Sequence, residues 1–317
     1  MLAGTKSNRS IFASGRDWLY WRARNLFLKL RHLQPDALYV KRRFKERFGY
    51  EPDLRSPKTL NEKIQWLKLY DRRPIHRVCA DKLAVRGHVA DRIGERYVVE
   101  LLTVLSSADD LTPEKLPAAP FVIKGNLDSG STIIVFDKAA VDWPAVRTQF
   151  RRSLRQNYYW REREWQYGGS KRRILIEKAL VDKQGNPAID FKLHCLNGKA
   201  AFVQVDQDRF VGHKRVLYDL DWNVIEGEWS HPMGRRIDRP AQLPELISLA
   251  ERLACDFDYA RIDFYLFEGR IYFGEITFHP QAGLGPFRPA SLDLAFGERI
   301  VLTGLKPSTA SARSAAS

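Results

Sequence analysis

The chain has 317 residues, 44% apolar and 28% charged, enough to bury one large core or two to three small ones. With a mean hydropathy of −0.39 and no apolar run near the roughly 18 residues of a membrane span, it reads as neither fibrous, disordered nor membrane-embedded. Of the formal net charge of +14, +9 falls in residues 1–50, where 12 Lys/Arg meet 3 Asp/Glu; such a basic segment suits nucleic acid, an anionic membrane or a polyanionic substrate.

Residues 1–10 lack the apolar centre of a signal peptide. The pattern from Ile11 to Leu33, aromatic and basic with Trp18, Phe27 and Leu30 among arginines, predicts a helix that lies on a membrane surface or packs on its own domain. A second basic stretch, Lys41–Phe48, leads into a loop punctuated by Pro52 and Pro57. A helix started by Thr59 or Asn61 then buries Ile64, Trp66, Leu67 and Leu69. Beyond Leu116 short strands are expected at Phe121–Lys124, Ile133–Phe136, Ile174–Glu177, Phe191–Leu196 and Ala201–Asp206. An Arg-rich helix is expected over about Val141–Tyr159, hairpin turns at 184–187 and 196–199, and a helix at 243–256. Strands Arg261–Phe267 and Ile271–Phe278 close an α+β, mostly antiparallel body, and 307–317 reads as a disordered tail. Cys79, Cys195 and Cys255, without C-x-x-C spacing, suggest reduced thiols in a cytoplasmic protein.

The last two strands carry the most specific chemistry. Alternate residues of a strand share a face, so Arg261 goes with Asp263 and Glu275 with Thr277. A three-residue loop, Glu268-Gly269-Arg270, would set Asp263 opposite Glu275 and Arg261 opposite Thr277. A two-residue Glu268-Gly269 turn would put the carboxylates on opposite faces. Facing carboxylates need a cation between them, and hard oxygen ligands suit Mg²⁺; a solvated Arg–Asp–Glu cluster is the plainer reading. Lys124, followed by a Gly/Ser loop with Asn126, Ser129, Gly130 and Ser131, has the parts of a phosphate clamp or of an ordinary turn. Glu177, Lys178, Ala179 and Leu180 end a strand where adenine could meet backbone groups, with Asp190 on the return strand for a ribose; a hairpin with a surface Glu-Lys pair fits equally.

These elements, in this order, resemble the ATP-grasp superfamily, and in particular its TupA-like branch, named for teichuronopeptide synthesis. The resemblance is carried by Leu60–Asp71, Ala80–Arg86, Phe121–Asn126, Arg163–Tyr167, Phe202–Phe210, His213–Arg215, Tyr218–Trp222 and Tyr272–Phe278, and spans roughly residues 45–300. It implies two α+β subdomains gripping Mg·ATP: a basic arm (1–50), a helical region (51–116), a small subdomain (117–181), a large one with the metal site (182–300) and a tail (301–317). It implies ATP phosphates at Lys124 and its loop, adenine at Glu177–Leu180, ribose at Asp190, and Mg²⁺ at Asp263, Glu275 and Thr277. Arg261, Lys192 and Arg215 would act on the transferred phosphoryl group. The reaction it implies is ligation of a carboxylate, on an anionic glycan or its attached peptide, to an amine such as an amino acid, through an acylphosphate. The setting would be surface-polysaccharide synthesis at the inner face of the membrane, without nucleic acid.

The pattern is departed from at Thr277, where Asn is common, and at Leu127-Asp128, where the branch carries His-Gly. A carboxylate beside phosphates repels them unless it turns away or meets a cation. The Asp206, Asp208, Arg209, Lys214 and Arg215 cluster is a candidate for substrate contact, as are His279-Pro280, Gly283–Gly285 and Arg288. Two Asp-x-Asp tripeptides, at 206–208 and 219–221, also fit a metal-dependent glycosyltransferase. A sugar kinase or an inactive ATP-binding scaffold is a further alternative, and bases interleaved with aromatics over 151–173 are the feature a single-strand binder would use.

Overall fold

The structure, a computed structural model, describes residues 34–305 apart from 129, 183 and 209–211. The expected 11–33 helix, residues 306–317 of the tail, Ser129 and Arg209 therefore lie outside the described residues, while the start of the 301–317 tail is packed on the body, with Leu302 buried and the Thr303 N–H donating to Asp258 at 2.8 Å. Two antiparallel sheets organise the chain. The smaller joins β1 (Leu101–Leu105), β2 (Phe121–Gly125), β3 (Ile133–Val135) and β4 (Ile174–Lys178) in the order β1-β4-β2-β3. The larger joins β5 (Ile189–Leu196), β6 (Lys199–Gln207), β7 (Lys214–Tyr218), β9 (Tyr259–Phe267) and β10 (Arg270–Thr277) in the order β10-β9-β5-β6-β7. A short pair, β8 (Glu228–Trp229) with β11 (Phe287–Arg288), flanks them.

Alternation along the large sheet separates hydrocarbon from charge. One face carries Phe191, Leu193, Val203, Val205, Val216, Ile262 and Phe264, buried against the Leu243–Ala254 and Val85–Ile93 helices. The opposite face is apolar only at one end, where Phe202, Leu217 and Tyr259 lie under the Leu60–Tyr70 and Ser291–Glu298 helices. The Leu60–Tyr70 helix starts as its sequence predicts: Thr59 and Glu62 form a reciprocal capping box. The other end of that face carries Lys192 and Asp263, both buried, and Glu275 and Thr277, which are partly exposed. The small sheet packs one face on the Trp143–Arg155 helix through Phe121, Ile123, Ile174, Ile176, Val146 and Phe150.

Several boundaries differ from expectation. Residues 36–48 are a helix docked on the body, with Tyr39 donating to the Arg161 carbonyl at 2.7 Å and Arg47 to that of Leu284 at 3.1 Å. β1 pairs with β4, so the small sheet begins before residue 117. The Arg-rich helix stops at Arg155, and a short helix, Tyr158–Glu162, follows. All three cysteines are free, Cys79 and Cys195 buried and Cys255 exposed. Among the described residues no helix is long and apolar enough to cross a membrane.

Candidate active site

The β9–β10 hairpin reaches the expected pairing by an unexpected route. Phe267 faces Arg270 across a two-residue Glu268-Gly269 turn, yet Asp263 faces Glu275 and Arg261 faces Thr277. A bulge between Phe273 and Glu275 supplies the missing residue; without it, Glu275 would fall on the apolar face. The extra residue is Gly274, where a Cβ would lie 3.0 Å from the Asp263 carbonyl oxygen. Because β5 pairs Lys192 with Asp263, the sheet lines up Lys192, Asp263 and Glu275 across three strands.

The cation between the carboxylates is the Arg261 guanidinium. Nε donates to Asp263 Oδ1 at 2.7 Å, and Nη2 reaches Asp263 Oδ2 at 2.7 Å, Glu275 Oε1 at 3.0 Å and Thr277 Oγ1 at 3.0 Å. Lys192 Nζ donates to Asp263 Oδ2 at 2.9 Å and also to Asp190. Burial disfavours the Arg261 charge, but Asp263 and Glu275 raise its pKa nonetheless. Burial would likewise raise Glu275, and Lys82 and Arg261 reverse this and hold it well below the usual carboxylate range. Burial pushes Asp263 up against the pull of Arg261 and Lys192.

On the small sheet Lys124 Nζ meets Glu177 Oε2 at 2.5 Å, and Arg86 Nη1 meets Glu177 Oε1 at 3.1 Å. Glu177 is thus the buried counter-ion of two bases, not an exposed adenine contact. Lys178 is exposed, with its backbone N–H on the Glu100 carbonyl at 3.0 Å, and the Leu180 carbonyl accepts from Ala188 at 3.0 Å. Asn126 is a tether: Nδ2 reaches both Asp81 oxygens at 3.0 Å, and Oδ1 accepts from the Arg173 N–H at 2.7 Å. Ser131 Oγ accepts from the Gly125 N–H at 3.2 Å, and Gly130 takes a φ of +86°. Asp128 turns under the loop, accepting from Ser153 and filling the space a Gly125 Cβ would occupy. Its carboxylate is thus held between Ser153 and the Gly125 backbone, while the residue also lines the cleft described below.

Asp190 serves as the partner of Lys192. Arg215 is buried on β7, donating to Asp206 Oδ1 at 2.7 Å and the Trp229 carbonyl at 2.8 Å, and Arg288 is exposed beside Glu228. Asp219 accepts from the Asp221 and Asn223 backbone N–H groups, so the 219–221 tripeptide is a turn. Of the 151–173 bases, Arg163 is buried, Arg151 pairs with Asp109, and Arg172 donates to the Leu127 and Tyr167 carbonyls.

A cleft of about 770 Å³ opens beside this charged row, lined by Lys82, Arg261, Glu275, Thr277, Glu164 and Tyr167 among others. His279, Pro280 and Leu284 line it as the sequence suggested, while Arg43 and Arg47 come from the 36–48 helix. Sequence reasoning missed Lys82 as a site residue. Its Nζ lies 3.4 Å from Glu275 Oε2 and donates to the Asp128 carbonyl at 2.8 Å, tying the phosphate-type loop to the carboxylate strand. The only signal was its place in the Ala80–Arg86 stretch.

Glu275 is 36% exposed toward the cleft with Thr277 Oγ1 beside it at 3.1 Å, and such hard oxygens fit Mg²⁺. Asp263, 4% exposed, has both oxygens taken by Arg261 and Lys192, and in this arrangement it orients those two cations. Among the described residues no three His, Cys, Asp or Glu side chains gather around one metal position.

The family described as TupA-like ATPgrasp matches residues 62–301. No curated protein matches the chain. Among solved structures, the D-alanine–D-alanine ligase from Bacillus anthracis complexed with ATP is 20% identical, covering 63% of this chain and 55% of its own at a TM-score of 0.37. The D-alanine–D-alanine ligase from Helicobacter pylori is 14% identical, over 76% of this chain and 69% of its own, at 0.41. The L-amino acid ligase from Bacillus licheniformis is 13% identical, over 87% and 63%, at 0.45. This chain spans little more than half the length of the first of these relatives.

Proposed function

This chain belongs to the TupA-like ATP-grasp family, and on that premise we propose that it is an ATP-dependent carboxylate–amine ligase. A substrate carboxylate oxygen attacks the γ-phosphorus of ATP, the bond to the bridging oxygen breaks, and ADP leaves. The nitrogen of an amine then attacks the acylphosphate carbon, the carbon–oxygen bond to phosphate breaks, and an amide, phosphate and a proton result. Such a reaction needs charge neutralisation and positioning, not an enzyme nucleophile.

One observation supports this above others: the Lys192–Asp263–Glu275 row with Arg261 and Lys82 at its cleft edge. Lys124, Lys82 and Lys192 are the phosphate-binding cations, each held by a carboxylate until nucleotide arrives. Arg261 faces the transferred group, and Leu180 with Ala179 borders the adenine. Glu275 and Thr277 hold Mg²⁺, which when bound neutralises phosphate charge. Arg215 holds Asp206 in place and acts at a distance from the phosphates. The family's tie to teichuronopeptide-type surface polymers supports an anionic glycan or its peptide as the carboxylate substrate, with the basic N-terminal segment near an anionic membrane on the cytoplasmic side.

The test is calorimetric binding of a non-hydrolysable ATP analogue with Mg²⁺. Micromolar affinity lost in Lys124→Ala and Glu275→Ala, with folding intact, is the expected result and opens a screen of carboxylate and amine pairs for ADP release. No binding at millimolar analogue sinks the ligase reading. Sugar-nucleotide turnover without ATP would support a glycosyltransferase instead.

A further inference from the structure

The cleft runs past Tyr167 to a carboxylate that the nucleotide site leaves unused. Glu164 lines the cavity yet is only 9% exposed. Its side-chain oxygens accept no hydrogen bond from any described residue; the nearest ring nitrogen, His279 Nδ1, lies 3.7 Å from Oε1. The residue is buried, but its unbonded carboxylate oxygens are not sealed off and open to the cleft, where a ligand can supply the donors a carboxylate ordinarily has.

The segment that carries Glu164 is firmly held. Arg163 ends the Tyr158–Glu162 helix in the left-handed conformation at φ 59° and is buried against the rings of Tyr39 and Tyr159. Four charged or titratable groups face Glu164: Lys68, His279, Arg161 and Tyr167. Lys68, from the Leu60–Tyr70 helix, gives its Nζ to the Ala282 carbonyl at 2.6 Å. His279 takes up Gln166 Nε2 at 3.1 Å. Arg161 is 72% exposed beside Glu162. Burial pushes Glu164 up to about 7 against the pull of Lys68 and Arg161. The Tyr167 phenol, raised chiefly by burial, is raised further by both Glu164 and Glu275, so it lies between the two ends of the cleft.

We propose that Glu164 receives the amine substrate, accepting an ammonium N–H at its carboxylate and taking the proton that must leave before nitrogen can attack. This rests on the ligase reading. The proton passes from R–NH₃⁺ to Oε and leaves the nitrogen lone pair free. As the C–N bond forms and phosphate departs, the nitrogen's second proton leaves on the phosphate as hydrogen phosphate, and the proton held by Glu164 is then released to solvent through the cleft. A primary amine is the ligand class, because it supplies both the positive charge and the missing donors.

The test uses the full chain, with propylammonium as probe and tetramethylammonium as a control of equal charge without an N–H, followed by calorimetry at pH 8 with and without the Mg²⁺-bound ATP analogue. Wild type is expected to bind propylammonium saturably and at least tenfold more tightly than the control. Glu164→Gln should weaken it at least tenfold, Glu164→Asp should recover part of the loss, and the affinity for the ATP analogue should stay within twofold in both variants. Equal propylammonium affinity in wild type and Glu164→Gln overturns the proposal, as does an absence of saturable binding to wild type. Glu164-dependent amine binding without any nucleotide binding would remove the ligase reading and leave the amine site standing.

Discussion

Asp128 sits beside a phosphate-type loop without opposing it, because its carboxylate is drawn beneath the strand by Ser153 while its carbonyl holds Lys82. Asp128→Asn should therefore leave ATP-analogue affinity within about threefold of wild type, since the carboxylate it alters is already engaged by Ser153. Glu177 gives a sharper test. It is the counter-ion of Lys124 and Arg86, so under the proposed function it would compete with phosphate for Lys124. Glu177→Gln should keep or raise nucleotide affinity while destabilising the fold by about 3 kcal/mol, the order found when one partner of a buried pair is lost. A fall in affinity without a loss of stability, measured by calorimetry and urea unfolding, would favour direct contact with the base. The sequence made both Lys124 and Glu177 candidates, but as separate features. Their meeting depends on the pairing of β2 with β4, which joins residues far apart in the chain and leaves no local trace.

At the scale of the element, the β9–β10 hairpin held most of what could be read in advance. Alternation gave the shared faces, and the demand that Asp263 oppose Glu275 gave the pairing. The sequence left a two- and a three-residue loop open and tied the facing carboxylates to the longer one, because a bulge and a longer loop add the same one residue to a register. Gly274 marks the difference: a side chain there meets the Asp263 carbonyl oxygen at 3.0 Å and the Tyr265 ring at 3.2 Å. Gly274→Ala should cost about 1–3 kcal/mol in urea unfolding, as overpacking does, and should weaken nucleotide binding by shifting Glu275. β1 escaped notice for another reason. It is an edge strand whose Leu102 and Val104 stay partly exposed, so burial does not mark it. The 36–48 helix reads in sequence as a solvated basic arm, and only its contacts with 161 and 284 make it a cleft wall.

For the whole molecule, Lys68 and Glu164 join three remote segments in one buried neighbourhood, and folding is coupled to pH there. Burial raises Glu164 from 4.5 to about 7, so between these values the native state binds more protons than the unfolded chain and stability falls as pH rises. Burial lowers Lys68 from 10.5 to about 8, so over that range the unfolded chain binds more protons and stability rises with pH. The pair should leave a shallow minimum between about pH 7 and 8 in urea unfolding. Glu164→Gln should flatten the acid limb and Lys68→Met the alkaline one; limbs unchanged in both variants would refute the coupling.

If the charged row accepts nucleotide as proposed, its own charge balance bears on the form it takes. Lys82, Lys192 and Arg261 stand against Asp190, Asp263 and Glu275, three cations to three anions, so this patch of the sheet is formally electroneutral. A bare triphosphate would enter it as uncompensated negative charge, whereas a magnesium complex brings part of its own compensation. Under the proposed function, the charge balance of this row would favour the magnesium complex over the bare triphosphate, and comparing the affinity for the ATP analogue with and without Mg²⁺ checks it.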